Sequence, residues 1–315
     1  MESKFSKIES REEWQRLLDK ALFKTFFHSL EWEEFLESKF KWLKFERYLY
    51  KDQAILSLAK VGKKLVSHPF CEYGGILPLI NGTNLSEFQK DLLSEFKDKI
   101  KISLHPLSLD YFSGYDSFGS ERITHILKGE ADLNKSVRYE IRKAEEKGVV
   151  IKECQSEKDL NSFYNLYLKG AKKHKIPAYP FSFFNYFLKS GKAKIVLATI
   201  KDKVIAGSVF LLYQNIIHYS QNAVAENYKK TGVNYLILEE VIKNKGEKIF
   251  DFGGTRKGSS LETFKKAWGA KEYPILEIKN YTDSGLRKSK LRMIYGFLPI
   301  FLVKRLSPYL LRYKI

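Results

Sequence analysis

The chain has 315 residues, with 55 Lys and Arg against 37 Asp and Glu and a formal net charge of +18. Its cysteines, Cys71 and Cys154, lie far apart, which excludes a disulfide scaffold and a cysteine zinc site and suits a reducing cytoplasm. The length favours two domains over one, and the charge points as evenly to polyanionic partners (nucleic acid, a phosphorylated precursor, an anionic membrane face) as to a lysine-rich solvated surface.

In chain order, Ser10 followed by Glu13 caps an early helix, and Ser29 opens a second carrying Trp32, Phe35 and Leu36. Residues 42–50, 54–59 and 65–70 read as strands, 88–96 as a helix, and 100–104 and 122–127 as strands. A boundary is expected at 129–132. The helix predicted over 133–148 buries one stripe of Leu133, Val137, Ile141 and Ala144. Arg138 and Arg142 each sit one place past that stripe and four apart, so both project from one side. Paired guanidinium groups suit phosphate or carboxylate recognition; the plainer alternative pairs Arg142 with Glu146 and Arg138 with a carboxylate of the first domain.

A strand at 149–153 leads into a helix from Glu157, capped by Ser156 with Asp159 three residues on. His174, near its lysine-rich end, is a substrate contact or simply a helix C-terminal cation. A short helix starts near Pro180. Strands follow at 194–200, 204–213 and 216–222, then a helix at 235–244, a strand at 248–252, a helix at 260–268 and a strand at 275–281. The order is β-α-α-β-β-β-α-β-α-β, and the first half follows the same plan less clearly.

The most informative stretch is 249–270. An apolar strand ends in Gly253-Gly254, a polar loop holding Arg256 follows, and Ser259-x-x-Glu262 forms a capping box for a helix that Gly269 closes. Phe264 and Lys265 are thereby fixed beside the C-terminal end of a strand, where open α/β sheets hold ligands. Asp251 either orients or deprotonates an amine or holds the glycine turn; the two readings weigh equally. Tyr219 and Asn222 line the same cleft. Lys229, Lys230 and Gly232, in KKTGVN, make a weak phosphate loop entering a helix N-terminus. The scattered histidines have no metal-ligand spacing, and neither a nucleophile elbow nor a Walker loop is present.

MESKFSKIESREEW lacks the apolar core of a signal peptide. The apolar run at 294–303 is too short to span a bilayer and is broken by Pro299. It belongs to a basic amphipathic tail, 286–315, carrying Arg287, Lys288, Lys290, Arg292, Lys304, Arg305, Arg312 and Lys314. Such a tail suits a membrane interface or packs back on the first domain.

The element order resembles that of the GNAT acyltransferase fold, and two such domains in tandem resemble the FemAB/FemX family of peptidyltransferases. FFHSLEWEEF (26–35), SHPFCEYGGILP (67–78), LNKSVRYEIRKAEEKGV (133–149) and DFGGTRKGSSLETFKKAWGA (251–270) carry the resemblance, which covers nearly the whole chain up to residue 281. It implies an α/β (α+β) protein with GNAT-like domains at 1–130 and 131–285, and an enzyme that acylates an amine. FemX-type enzymes move an amino acid from aminoacyl-tRNA onto the peptide amine of a peptidoglycan precursor. The resemblance places Phe264 and Lys265 at the transfer centre, where a fixed cation stabilises the oxyanion, and adds Arg138, Arg142, Tyr219, Asn222, Arg256, Trp32 and Tyr73 as substrate-binding candidates. Gln221-Asn222-Ala223 stands where the family often has Tyr-Gly-Ala. The implied donor is a substrate, aminoacyl-tRNA or acyl-CoA, with no resident cofactor and no metal. The implied acceptor is a phosphorylated or lipid-linked envelope precursor, and the expected location is the cytoplasm or the inner face of the membrane. A CoA-dependent N-acyltransferase and a non-catalytic binder of anionic glycolipid or nucleic acid are the alternatives.

Overall fold

The computed structural model describes residues 3–115, 122–281 and 290–313, with side chains from 293 in the last stretch. Arg287, Lys288, Lys290, Arg292 and Lys314, singled out in the tail, fall outside the described side chains. The first elements are β1 (Phe5–Lys7), α1 (Arg11–Lys20), α2 (Leu30–Lys39), β2 (Lys44–Tyr50), β3 (Ala54–Val61), β4 (Lys64–Val66), β5 (Leu77–Pro78), β6 (Thr83–Asn84), α3 (Leu85–Glu95), β7 (Lys99–Ser103) and β8 (Phe112–Ser113). Next come β9 (Arg122–Leu127), α4 (Lys135–Glu146), β10 (Val150–Glu153), α5 (Glu157–His174), α6 (Phe181–Lys189), β11 (Ala193–Ile200), β12 (Lys203–Tyr213), β13 (Ile216–Val224) and α7 (Val233–Lys243). The last are β14 (Ile249–Arg256), α8 (Ser260–Lys266), β15 (Lys271–Pro274), β16 (Glu277–Lys279), α9 (Lys290–Phe297) and α10 (Ile300–Leu310).

Two compact units result. One comprises residues 3–115, 122–124 and 273–281, the other residues 125–272 and 290–313. The first unit is therefore discontinuous, because the chain returns after 272 to lay β16 antiparallel to β7. Its sheet runs β1-β2-β3-β4-β7-β16, with β5 also on β3. The second sheet runs β10-β11-β12-β13-β14-β9-β15. Each of these sheets has a parallel pair joined through a helix: β4 with β7 across α3, and β13 with β14 across α7. A parallel pair needs such a crossover, whereas the antiparallel neighbours need only turns.

Local chemistry explains most boundaries. Ser10, Asn84, Asn134, Ser156 and Ser259 each accept an N–H of the first turn of the helix they precede. Ser29 instead donates to the Phe26 carbonyl. On α4 the buried Val137, Ile141 and Ala144 face a core of Phe210, Ile237, Phe250, Phe252 and Trp268, as the sequence stripe requires. The first unit buries Tyr50, Leu56, Leu58, Phe88, Ile100 and Ile102 around Phe5.

Two strand readings are shortened. The strand expected at 65–70 ends at Val66, since His68 and Phe70 take φ of 45° and 67°, outside the extended region. Of the strand expected at 275–281 only β16 (Glu277–Lys279) forms, and it belongs to a different sheet from the preceding β15. The tail packs through Tyr295, Val303, Ser307 and Leu311, all buried, and meets α5 of the second unit; the sequence reading had offered the first domain. Among the described residues, no helix is long and apolar enough to cross a membrane.

Candidate active site

The second unit contains a fork in its sheet. β13 and β14 pair only as Ile216 with Ile249, Ile217 with Phe250 and His218 with Asp251. Beyond that point both strands change direction. On β13, Ser220 is the extra residue of a bulge, between Tyr219 opposite Phe210 and Gln221 opposite Val209, and a bulge bends its strand. On β14, Gly253 takes φ of 72°, a region that strongly favours glycine. The strands then continue with β12 on one side and β9 on the other, leaving a notch between them.

The base of the notch is polar. Asp251 is fully buried and its Oδ2 lies 2.8 Å from His218 Nδ1. Its other oxygen accepts the Gly253 N–H at 2.9 Å. Asp251 therefore holds the glycine turn, one of the two readings open in the sequence, and also pairs with a histidine that neither reading named. With Nδ1–H donated to the carboxylate, neutral His218 carries its lone pair on Nε2, the form that can accept a proton. His218 was not among the sequence candidates.

Lys265 and Lys266 diverge in environment. Lys265 is 2% exposed, and its Nζ donates to the Gly253 carbonyl at 2.6 Å and the Gly254 carbonyl at 3.2 Å. Exposed Lys266 is engaged by Glu262 at 2.5 Å and Glu272 at 2.9 Å. Phe264 is half-buried against Tyr235, ring centroids 4.9 Å apart, and Tyr235 stacks toward buried Trp268, so this helix is anchored by aromatic packing. The capping box departs from its pattern: Ser259 accepts the Glu262 N–H, while the Glu262 carboxylate takes the N–H of Gly258 instead of Ser259.

His125, on β9 beside β14, is fully buried, with neither ring nitrogen hydrogen-bonded among the described residues. Burial, and then the Lys265 charge, hold its pKa below the ordinary histidine value; Glu272 and Glu262 act in the opposite direction. Tyr219 stacks on Phe210 at 5.4 Å, and burial pushes its hydroxyl up to about 12. Asn222 is exposed and donates to Asn234 Oδ1 at 2.8 Å, tying β13 beyond the fork to the first turn of α7.

The remaining candidates are dispersed. Arg138 and Arg142 are exposed on α4, with no ion pair to a described residue, and Arg256 is exposed at the end of β14. Trp32 and Tyr73 lie in the first unit, each 1% exposed, Trp32 against Phe26 and Phe35 and Tyr73 edge-on to His105; both are packing positions. Lys229 pairs with Glu226 at 2.9 Å and Lys230 is exposed.

Gly232 answers to packing. It has φ of 78°, and a Cβ there would lie 1.9 Å from the Glu140 carbonyl oxygen and 3.2 Å from the Glu140 carboxylate. The start of α7, which an anion would need, is thus met by an acidic residue of α4. Among the described residues, no group of three or more His, Cys, Asp or Glu is arranged to hold a metal.

Comparison with known proteins adds the family context. Residues 131–266 match the family model described as acetyltransferase (GNAT) domain. The chain is similar in structure to FemX, at 14% identity and a TM-score of 0.58 over 86% of this chain and 96% of that one. It is equally similar to L-PGS from Bacillus licheniformis, at 14% identity and a TM-score of 0.58 over 95% and 97%. A C-terminal domain from Agrobacterium fabrum, named for a lysylphosphatidylglycerol synthetase, aligns at 9% identity and a TM-score of 0.56 over 84% and 91%. No curated protein matches. The expected fold is borne out: this is an α/β chain of the GNAT fold that follows FemX and L-PGS over most of its length, and its residues 131–266 match the acetyltransferase (GNAT) domain model.

Proposed function

We propose that the protein is an aminoacyltransferase that acylates an amine on a phosphorylated or lipid-linked cell-envelope precursor, with aminoacyl-tRNA as donor. The observation that carries the reading is the fork between β13 and β14, with the His218–Asp251 pair at its base and the Lys265 ammonium held on the Gly253 and Gly254 carbonyls. In aminoacyl transfer the acceptor amine attacks the ester carbonyl and the charge that develops on oxygen needs a fixed cation or amide. Lys265 supplies that cation, and His218, oriented by Asp251, takes the proton the amine must lose; as the intermediate collapses to the amide the ester C–O bond breaks, and His218 returns that proton to the departing tRNA ribose oxygen. Arg138, Arg142 and Arg256 offer exposed guanidinium groups for acceptor phosphate or carboxylate. Tyr219, Asn222 and Phe264 shape the notch.

The donor assignment rests on Gly232 and Glu140. An acyl-CoA enzyme of this fold cradles pyrophosphate at the helix that α7 represents; here the Glu140 carbonyl and its carboxylate, the latter paired with Lys143 at 3.1 Å, stand beside that turn and leave an anion less room there. The match of residues 131–266 to the acetyltransferase (GNAT) model favours a second reading, a CoA-dependent N-acyltransferase. A location at the inner membrane face accords with the named product of the Agrobacterium neighbour and with the basic tail.

Transfer assays with labelled aminoacyl-tRNA and acyl-CoA, on wild type and Lys265→Met, test the reading. The account expects turnover with the tRNA ester and a variant that binds donor but does not turn over. Turnover with acyl-CoA alone supports the second reading, and no turnover with either donor would leave a binding protein.

A further inference from the structure

The second unit holds a cationic groove remote in sequence from the fork residues. Helix α5 ends in Lys172, Lys173 and His174, and Lys175 follows it in the left-handed conformation, φ 55°. A cavity of about 410 Å³ is lined by Lys169, Lys172, Lys173 and Lys175 of this segment and by Gly296 and Ile300 of the tail. Gly296 makes the close approach possible: a Cβ there would lie 3.1 Å from Lys175 Cε and 3.2 Å from its Cγ. Glu226 faces the groove from the side and pairs with Lys173 at 2.6 Å. Lys169, Lys172 and Lys175 have no ion pair to a described residue. Like-charged side chains brought together without a counter-charge repel one another, and a bound anion relieves that repulsion.

The tail that completes this groove also forms an apolar ridge. Val303, Ser307 and Leu311 recur every fourth residue and are buried. The Tyr295 hydroxyl accepts the Ala178 N–H at 3.2 Å and lies 2.7 Å from Ser307 Oγ, which fixes α9 and α10 on the unit. The opposite side presents Phe297, Phe301 and Tyr309 at 84%, 65% and 69% exposure, together with Met293 and Ile294. Aromatic and aliphatic groups held outward by a fixed inner face, beside a lysine groove, have the arrangement of an interfacial helix at an anionic bilayer. A soluble phosphate ligand would use the groove and leave the ridge in water.

We propose that the groove formed by Lys169, Lys172, Lys175, Gly296 and Ile300 binds the phosphate headgroup of an anionic phospholipid while the Phe297–Phe301–Tyr309 ridge enters the interface. This deepens the membrane location proposed above and does not depend on the identity of the acyl donor. The test is flotation of the full chain with vesicles of phosphatidylcholine alone and of phosphatidylcholine with phosphatidylglycerol. It is run for wild type, for Lys169→Ala/Lys172→Ala/Lys175→Ala and for Phe297→Ser/Phe301→Ser. All replaced side chains except Lys172 are exposed and Lys172 is half-buried, so folding should persist, with thermal melting as the check.

The proposal expects binding to phosphatidylglycerol vesicles only, and a loss of about two orders of magnitude in affinity for the lysine variant, at roughly fivefold per lysine. The phenylalanine variant should lose binding comparably. Equal flotation of the lysine variant and wild type would overturn the groove and leave the membrane location standing. No flotation of wild type on either vesicle would overturn both. Release of wild type by millimolar inorganic phosphate with indifference to the ridge variant would replace the lipid with a soluble phosphate ligand.

Discussion

Asp251 and His218 stand opposite each other on adjacent parallel strands, at the last paired position before the strands separate, with Oδ2 2.8 Å from Nδ1. The carboxylate is shared between the histidine and the Gly253 N–H, so one side chain sets both the imidazole tautomer and the turn that opens the notch. Asp251→Asn keeps the shape and disturbs the tautomer. Turnover is expected to fall by about two to four orders of magnitude, the range of general-base catalysis, with little change in donor affinity. Single-turnover kinetics against pH check this, and an unaltered rate would remove His218 from the chemistry.

Lys265 is expected to act on rate and stability together. Lys265→Met removes this donor from the Gly253 and Gly254 carbonyls, at a cost of about 1–3 kcal/mol in all. Turnover should drop by about two to three orders of magnitude from loss of the cation. Lys265→Arg keeps the charge and should recover stability better than rate, because the longer planar group cannot occupy the same place. Denaturant melts read beside steady-state rates separate the two effects.

Gly232→Ala should destabilise the protein by about 4 kcal/mol or more, among the larger single-residue effects, because a Cβ there would meet the Glu140 carbonyl at 1.9 Å and the backbone is left-handed. Chemical denaturation measures it. A variant as stable as wild type would contradict the packing role and return Gly232 to the phosphate-loop reading.

The first unit buries neutral histidines. Desolvation, and then the neighbouring His105, lower the His28 pKa to about 3, and desolvation likewise pushes His68 well below its ordinary value. A histidine whose folded pKa is depressed contributes stability that is present above its unfolded value of about 6.5 and lost as pH falls toward the folded value. For His28 the loss by pH 4 is on the order of 3 kcal/mol. Glu33 runs the other way: burial raises it to about 7 against the pull of Arg47, so its term weakens as pH rises from about 4.5. Melting of wild type against His28→Gln between pH 4 and 7 isolates the histidine. The variant should show a shallower loss in acid.

How much of this was legible beforehand follows from the range of each interaction. Helix starts were readable because cap and first turn are within three residues, as at Ser10, Ser156 and Ser259. The stripe of α4 was readable for the same reason. Lys265 could be separated from Lys266 only through the family motif; the structure supplies the physical difference, carbonyls for one and carboxylates for the other. His218 was missed because its partner is 33 residues away on a strand reached through a crossover helix, and no local pattern records parallel register. The bulge at Ser220 and the Glu140 carbonyl against Gly232 are tertiary events of the same kind. His68 and Phe70 ended an apolar run that composition alone presented as strand.

The most direct test of the central claim is binding of charged tRNA, uncharged tRNA and acyl-CoA to the purified protein across a salt series. Nonspecific cationic attraction falls steeply with salt and ignores the acyl group. The account predicts a preference for charged over uncharged tRNA that survives high salt, with no saturable CoA site. Saturable acyl-CoA binding, together with tRNA affinity that is indifferent to charging and vanishes in salt, would contradict it.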